Sequence, residues 1–408
     1  MPFHLSRRAF LAGTSLAAMP FAPAFAQATS ARIGLLTVKT GPLAQGGIQM
    51  EQGMTLFLKD RSNTLAGRKV ELVVADTGGN PAGAKTKAQE LVERDKVDFI
   101  CGPLAAFELL AITDYIAQAK VPLLSLAAAD DMTQRKPNPF FIRASATSSQ
   151  CNHPLGDYAA KDMKLKRAAM ISEDFAYGYE QAGGFQRVFE DNGGKIVQKL
   201  WPPLVTADYT PFLAQFADVD CVWNGFAGSN PVKFNKQYAD LGLKYPRLGG
   251  WTAYDDAVLK ALGDESMGAI SASWYSPAVE TESNKRFVAG MAKEFDVVPG
   301  GYSAGIYVSG MCIEAALAKT GGKTEDKQAL IDALRAVSLA DTPRGAFRFD
   351  HLGNVVGSVF IRRLDRKDGK LVNTIVKTYD NVSQFWTYDE AKYLATPVYS
   401  RDAAPVKI

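Results

Sequence analysis

Cysteine and histidine are scarce, four and three residues in 408. Cys101, Cys151, Cys221 and Cys312 lie far apart and form no CxxC pair, which argues against a metal cluster and a small disulfide-stapled scaffold. Cys101 and Cys221 fall in apolar strand-like runs and Cys312 in a helical pattern, so buried free thiols are expected, with any pairing left open by the spacing. A large excess of one charge is also missing. Lys+Arg 46 against Asp+Glu 43 leaves +3, too small a surplus for a dedicated nucleic-acid binder, which needs a concentrated basic face. No Walker loop, HExxH helix, EF-hand loop or strand-following GxGxxG occurs, so neither metal nor cofactor is expected. Beyond the N-terminal region no stretch of 18 apolar residues appears, which excludes a membrane-spanning helix in the mature chain.

What is present is enough apolar material, 47% of residues, for one large or two medium cores. Residues 1–26 read as a twin-arginine export signal. Ser6-Arg7-Arg8-Ala9-Phe10-Leu11 precedes a short apolar run to Phe21, and Ala24-Phe25-Ala26 supplies the small residues read by a signal peptidase, with cleavage expected before Gln27. An Arg pair inside an ordinary secretory signal is the alternative, and export follows from both. Without a Cys at the cleavage site no lipid anchor is expected.

From Arg32 the chain alternates strand and helix. Arg32–Val38, Lys69–Ala75, Val97–Cys101 and Pro122–Leu126 read as strands; Gly47–Asp60, Pro81–Arg94 and Ala105–Gln118 read as helices, the second opened by Asn80 as cap and Pro81. The pattern restarts with strands at Ala168–Ile171, Ile196–Leu200, Asp220–Trp223 and Arg247–Gly250, separated by helical segments. Strands joined by helices pair in parallel and are covered on both faces, so two α/β lobes with a cleft between them are expected. The last third holds helices at Asn284–Phe295, Ser303–Lys319 and Lys327–Val337. It also holds short strands at Phe347–Asp350, Ser358–Arg363 and Leu371–Lys377, with Asp368-Gly369 as a hairpin turn. These elements are too few for a third core and are expected to complete the first two. From Val382 onward the aromatic, aperiodic sequence reads as an extended tail packed on a lobe.

The order and spacing of Thr40-Gly41-Pro42-Leu43-Ala44-Gln45-Gly46-Gly47, Asp76-Thr77-Gly78-Gly79-Asn80-Pro81, Cys101-Gly102-Pro103-Leu104 and Val121-Pro122-Leu123-Leu124-Ser125 resemble the leucine/isoleucine/valine-binding family of type I periplasmic binding proteins, which serve ABC importers. The resemblance continues through Tyr177-Gly178, Gly249-Gly250, Tyr302 with Tyr307, and Phe349-Asp350-His351-Leu352-Gly353. It implies an α/β fold of two doubly wound parallel-sheet lobes joined by a three-strand hinge. The crossovers would lie near Phe141–Ala144, Ser273–Ser276 and Phe349–Gly357. Lobe 1 would hold 27–141 and 276–349, lobe 2 142–275 and 350–381, and 382–408 the tail. A periplasmic, monomeric protein that hands a small molecule to permease subunits is implied.

Family members that bind amino acids hold the carboxylate with hydroxyls and N–H groups at stretches that correspond here to Ala105-Ala106-Phe107 and Ala127-Ala128-Ala129. The hydroxyls are gone and the N–H groups of a helix start remain, which suffice for an anion. The acid that pairs with an α-ammonium corresponds to Trp251. A desolvated ammonium without a counter-charge costs several kcal/mol. Asp255, Asp256 or a Trp251 cation–π contact are alternatives to a ligand that lacks the ammonium. Phe107, Phe175, Tyr177, Phe226, Trp251, Tyr254 and Tyr302 fall where this fold faces the cleft, although each ring is equally able to pack a lobe surface. An aromatic carboxylate of the benzoate, phenylacetate or hydroxycinnamate type is therefore expected, with a branched-chain or other apolar amino acid as the runner-up. Lys39 is a candidate cation, Gln45 and Asn224 are candidate partners for a ring hydroxyl, and His153 is a candidate cleft residue. Arg143, on the first crossover, is expected to be structural.

An enzymatic alternative exists. Gly301-Tyr302-Ser303-Ala304-Gly305 matches a nucleophile elbow, followed by Asp341 or Asp350 and His351 in hydrolase order. The segment before it, Asp296–Gly300, is a poor strand, and no catalysis is expected.

Overall fold

The computed structural model describes residues 30–408 and the initiating methionine; the export signal and its cleavage site lie outside the described residues. Six strands form the first sheet: β1 (Ala31–Thr37), β2 (Thr64–Leu65), β3 (Arg68–Asp76), β4 (Phe99–Cys101), β5 (Leu123–Leu124) and β6 (Phe141–Ile142), in the order β2-β3-β1-β4-β5-β6. All pairs are parallel except β2–β3, which is joined by a tight turn. Helices α1 (Ala44–Lys59), α2 (Pro81–Gln89) and α3 (Ala106–Ala119) connect these strands. The Asn80 side chain accepts the Gly83 N–H at 2.8 Å and Pro81 opens α2, as the capping pattern requires.

The second sheet contains β7 (Arg167–Ser172), β8 (Lys195–Leu200), β9 (Cys221–Gly225), β10 (Arg247–Gly249), β11 (Ile270–Ser273), β12 (Ser338–Leu339), β13 (Phe347–Phe349), β14 (Val355–Lys367) and β15 (Lys370–Val382). Its order is β12-β13-β14-β11-β10-β9-β7-β8, with β15 on β14. Strands β7 to β11 are parallel, while β12 to β15 are antiparallel, so a purely parallel second sheet does not hold. The reason is local: Asp368 and Gly369 both take positive φ, 50° and 75°, and a two-residue turn of that kind joins only antiparallel strands. Helices α4 (Asn152–Lys161), α5 (Ala176–Asp191), α6 (Thr210–Leu213) and α7 (Asn230–Asp240) cover this sheet.

Helices α8 (Glu282–Phe295), α9 (Gly301–Lys319) and α10 (Lys327–Arg335) return to the first lobe, where α9 lies against α1 with Phe57 and Tyr307 edge to face at 5.3 Å. The chain therefore crosses between lobes at 143–151, 274–281 and 336–337. The third crossover was expected near Phe349–Gly357, and β12 and β13 were expected in lobe 1; both strands instead pair into the second sheet. The two-residue β12 has no periodicity for a sequence reading to detect. Residues near 354 do run beside the first crossover, where Arg143 and Asn354 form an isolated parallel bridge. Arg143 is buried, and its guanidinium donates to Ala127 O, Ala129 O, Thr133 Oγ1 (2.7 Å) and Asn354 Oδ1 (3.0 Å), the structural role expected of it.

The tail is not simply extended. It forms α11 (Glu390–Ala395) and lies on α5, where the buried Arg187 donates to Tyr399 Oη at 2.7 Å and Val406 O at 2.6 Å. All four cysteines are buried and free.

Candidate functional site

In both sheets one strand stands between neighbours whose connections leave in opposite directions: β1 between β3 and β4, and β7 between β8 and β9. At such points the loops beyond the carboxyl ends of the strands part and leave a crevice. The two crevices face each other. Leu43 follows β1, Leu104, Ala105 and Ala106 follow β4, and Leu126 and Ala128 follow β5. From the second lobe come Phe175 and Tyr177 after β7, Ala227 after β9 and Trp251 after β10; Tyr302 opens α9. Together they line a cavity of about 340 Å³, its open mouth included. None of these side chains carries a charge.

The wall is aromatic and spans both lobes. Phe107 of the first lobe meets Phe175 of the second edge to face at 5.6 Å, and Phe175 lies 6.1 Å from Tyr177. Trp251 lies 4.9 Å from Tyr302 and 5.9 Å from Trp274. Tyr177 is held by a 3.0 Å hydrogen bond between its hydroxyl and that of Thr252. The Trp251 indole N–H is buried without an acceptor, an uncompensated donor in the wall itself.

The polar end is a helix terminus. Ala105 caps α3 with extended backbone but has no side-chain acceptor; Glu108 reaches back to take the Ala105 N–H at 3.0 Å and is also bonded by the Thr77 hydroxyl. Burial pushes the Glu108 carboxyl up from its ordinary pKa. The N–H groups of Ala106, Phe107 and Glu108 are those that an α-helix leaves without an internal acceptor, and they carry the positive end of its dipole.

In addition to Glu108, the acids Asp255, Asp256 and Glu173 lie near this cavity, and each accepts hydrogen bonds. Asp255 Oδ2 accepts the Gly301 N–H at 2.7 Å and Oδ1 the Ala257 N–H at 3.2 Å, so this carboxylate does reach the gap beside Trp251, with each oxygen bonded to backbone. Asp256 is paired with the buried Arg362 at 2.7 Å and with Asn373 at 3.0 Å. Glu173 Oε1 accepts from Ala227 N at 3.2 Å and Asn230 Nδ2 at 2.7 Å, while its Oε2 is buried without a partner; burial pushes its pKa up to about 8, which favours the neutral acid near pH 7.

Of the residues expected at the site, Ala105, Ala106, Ala128, Phe175, Tyr177, Trp251 and Tyr302 come together on the cavity wall. Phe107 backs Phe175, and Ala127 and Ala129 flank Ala128 with their carbonyls turned to Arg143. The others lie elsewhere. Lys39 is exposed and paired with Glu51 at 2.8 Å, and Gln45 is exposed. His153 is buried beneath the tail, 6.4 Å from the Tyr388 ring and 6.0 Å from that of Tyr393; burial pulls its pKa down to about 3. Asn224 donates to Leu248 O at 2.8 Å and Tyr254 Oη at 3.2 Å inside the second lobe. Phe226 packs on Tyr209 and Phe234 at 4.9 and 4.8 Å, and Tyr254 sits in a separate apolar cluster with Leu259, Leu262 and Leu364. Leu43, Leu104, Leu126 and Ala227 were missed; their only signal is position, directly beyond strand ends.

The elbow reading of Ser303 does not hold. No strand precedes it, it lies inside α9, and its hydroxyl donates to Gly300 O at 3.0 Å, while His351 is exposed and pairs with Glu390 at 3.1 Å.

Residues 30–370 match the family model described as periplasmic binding protein. The chain belongs to the periplasmic binding protein family. The "Leu/Ile/Val-binding protein homolog 6" of Brucella abortus is 26% identical to this binding protein over 385 residues, 91% of this chain and 97% of the relative. A solved solute-binding protein of an ABC transporter from Rhodopseudomonas palustris BisB5, in complex with 3,4-dihydroxybenzoic acid, is 32% identical with a TM-score of 0.83, covering 87% of this chain and 98% of that one. A second, from R. palustris in complex with benzoate, is 25% identical with a TM-score of 0.82 over 87% and 98%. The binding protein is thus a substrate-binding component of ABC transport with the type I periplasmic fold.

Proposed function

We propose that this binding protein captures a small aromatic carboxylate in the interlobe cavity, in the periplasm, and delivers it to the permease subunits of an ABC importer without chemical change. The observation that carries the reading is a cavity walled by rings and alanines, with a helix terminus for an anion and nearby acids that are bonded, as Asp255 and Asp256 are, or favoured in the neutral form by burial, as Glu173 is. Burial of a flat ring against Phe175, Tyr177, Trp251 and Tyr302 supplies affinity, each offset or edge-on ring pair adding about 0.5–1.5 kcal/mol beyond area burial. The first-turn N–H groups of α3 orient the carboxylate. The solved relatives that hold benzoate and dihydroxybenzoate support the ligand class. Among the described residues no helix is long and apolar enough to cross a membrane, consistent with a protein that works beside its permease.

The Leu/Ile/Val names of the 26%-identical relatives favour an amino-acid reading instead. A thermal-shift screen separates the two. A ligand at a hundredfold excess over Kd stabilises the folded protein by about 2.7 kcal/mol. Benzoate, 4-hydroxybenzoate and 3,4-dihydroxybenzoate are expected to raise the melting temperature and leucine, isoleucine and valine to leave it unchanged; the reverse pattern replaces the aryl acid with an amino acid.

A further inference from the structure

We propose that Asp255 is a positioning residue, a latch that holds the lobes together by capping the N-terminus of α9 across the cleft. Asp255 belongs to the second lobe, six residues beyond β10, and Gly301 begins a helix of 19 residues in the first. The 2.7 Å bond from Gly301 N to Asp255 Oδ2 joins a carboxylate to one of the N–H groups that an α-helix cannot satisfy internally. Asp255 is 3% exposed, so the bond is sheltered from water and salt. The approach depends on two glycines: a Cβ on Gly300 would sit 1.9 Å from Asp255 Oδ1, and one on Gly301 2.7 Å from Trp251 Cζ3. A side chain at either position would have to displace the carboxylate or the indole.

The contact spans the two lobes, and beside it Trp251 lies against Tyr302, both rings on the cavity wall. One further backbone bond crosses the opposite rim, Ser229 N to Pro42 O at 3.1 Å, where Gly228 adopts φ +62°. A Cβ there would lie 2.1 Å from the same Pro42 carbonyl. Of these rim contacts only Asp255 brings a charge to a helix dipole. The acid beside Trp251 therefore serves closure rather than the ligand. This rests on the binding-protein reading for its function, but not on which ligand is bound.

The test places one spin label on each lobe, at Leu110→Cys and Val205→Cys, which are 41% and 79% exposed, while the four native thiols are buried and unreactive. Distance distributions are recorded by double electron–electron resonance with no ligand and with benzoate. A short-distance population is expected in the ligand-free protein and is expected to fall at least fivefold in Asp255→Ala. Gly300→Ala, which blocks the bond from the other lobe and spares the Asp255–Ala257 contact, is expected to do the same. A ligand-free protein with no short-distance population overturns the latch, as does a population unchanged in either variant that still melts cooperatively. Calorimetric titration of benzoate into the unmodified protein that shows no saturable heat overturns the ligand class instead, with the latch still judged on the ligand-free distances.

Discussion

Ala106→Asp probes the polar end of the cavity most sharply. Ala106 is the first residue of α3, 3% exposed and on the cavity wall, and its side chain adds nothing to the anion site. An aspartate there sets a fixed carboxylate where the ligand's would lie. Two effects follow with opposite signs. An acid in the first turn of a helix stabilises the free protein by about 0.3–1 kcal/mol. Two carboxylates about 4 Å apart repel by about 4 kcal/mol at an effective dielectric of about 20. The ligand also loses N–H donors, each charge-assisted bond being worth about 1.5–3 kcal/mol. Allowing for relaxation, a loss of about 3 kcal/mol is expected, roughly a hundredfold or more in Kd. Isothermal titration with benzoate reads this directly. Ala106→Asn has nearly the same volume without the charge, and it should retain most of the affinity. Equal benzoate affinity in Ala106→Asp and Ala106→Asn would refute a carboxylate seated on α3.

Trp251→Phe keeps a ring against Tyr302 but removes the unpartnered indole N–H; an affinity loss of about 1 kcal/mol for a ligand that accepts a hydrogen bond there is expected by titration, and no loss means the donor is idle. His153 is held near pKa 3 when folded against about 6.5 when unfolded, so its stability contribution is intact above 6.5 and lost as pH falls; between pH 7 and 5 the folded state should lose about 2 kcal/mol that His153→Phe does not lose, read from urea melts. Glu173 titrates the other way. Its folded pKa of about 8 lies above the ordinary 4.5, so stability is full below 4.5 and declines as pH rises toward 8; Glu173→Gln should gain about 3 kcal/mol on the unmodified protein between pH 5 and 8, and parallel pH curves would contradict the neutral buried acid. Arg187→Ala removes bonds to Tyr399 and Val406 and contacts with three tyrosine rings, and should release the tail at a cost of about 3 kcal/mol, visible as faster proteolysis beyond residue 382.

Much of this was legible in the sequence because strand–helix alternation is a local signal. Strands β1, β3, β4, β5 and β7 to β10 follow from it, as does the Asp368-Gly369 hairpin, whereas the short β2, β6 and β11 do not. Elements with little local signal escaped: the two-residue β12, the third crossover beside it, and α11 within an aperiodic aromatic tail. The cavity wall was legible where position decides, in the alanines at the start of α3 and the rings after β7 and β10. It failed where residue type suggested chemistry but distant sequence supplied the partner. Lys39 is claimed by Glu51, His153 by tyrosines more than 230 residues later, Asn224 by Tyr254, and Asp256 by Arg362. A polar side chain that looks free in sequence is rarely free in a core, since burial without a partner is costly.

The account stands or falls on whether the cleft prefers a ligand without an amine. 3-Phenylpropanoate and phenylalanine share ring and carboxylate and differ only in the α-ammonium, so calorimetric titration of both into the mature protein isolates that group. The account predicts heat and saturation with phenylpropanoate and at least a hundredfold weaker binding of phenylalanine. Tighter binding of phenylalanine would show that an acid in the cleft receives the ammonium after all.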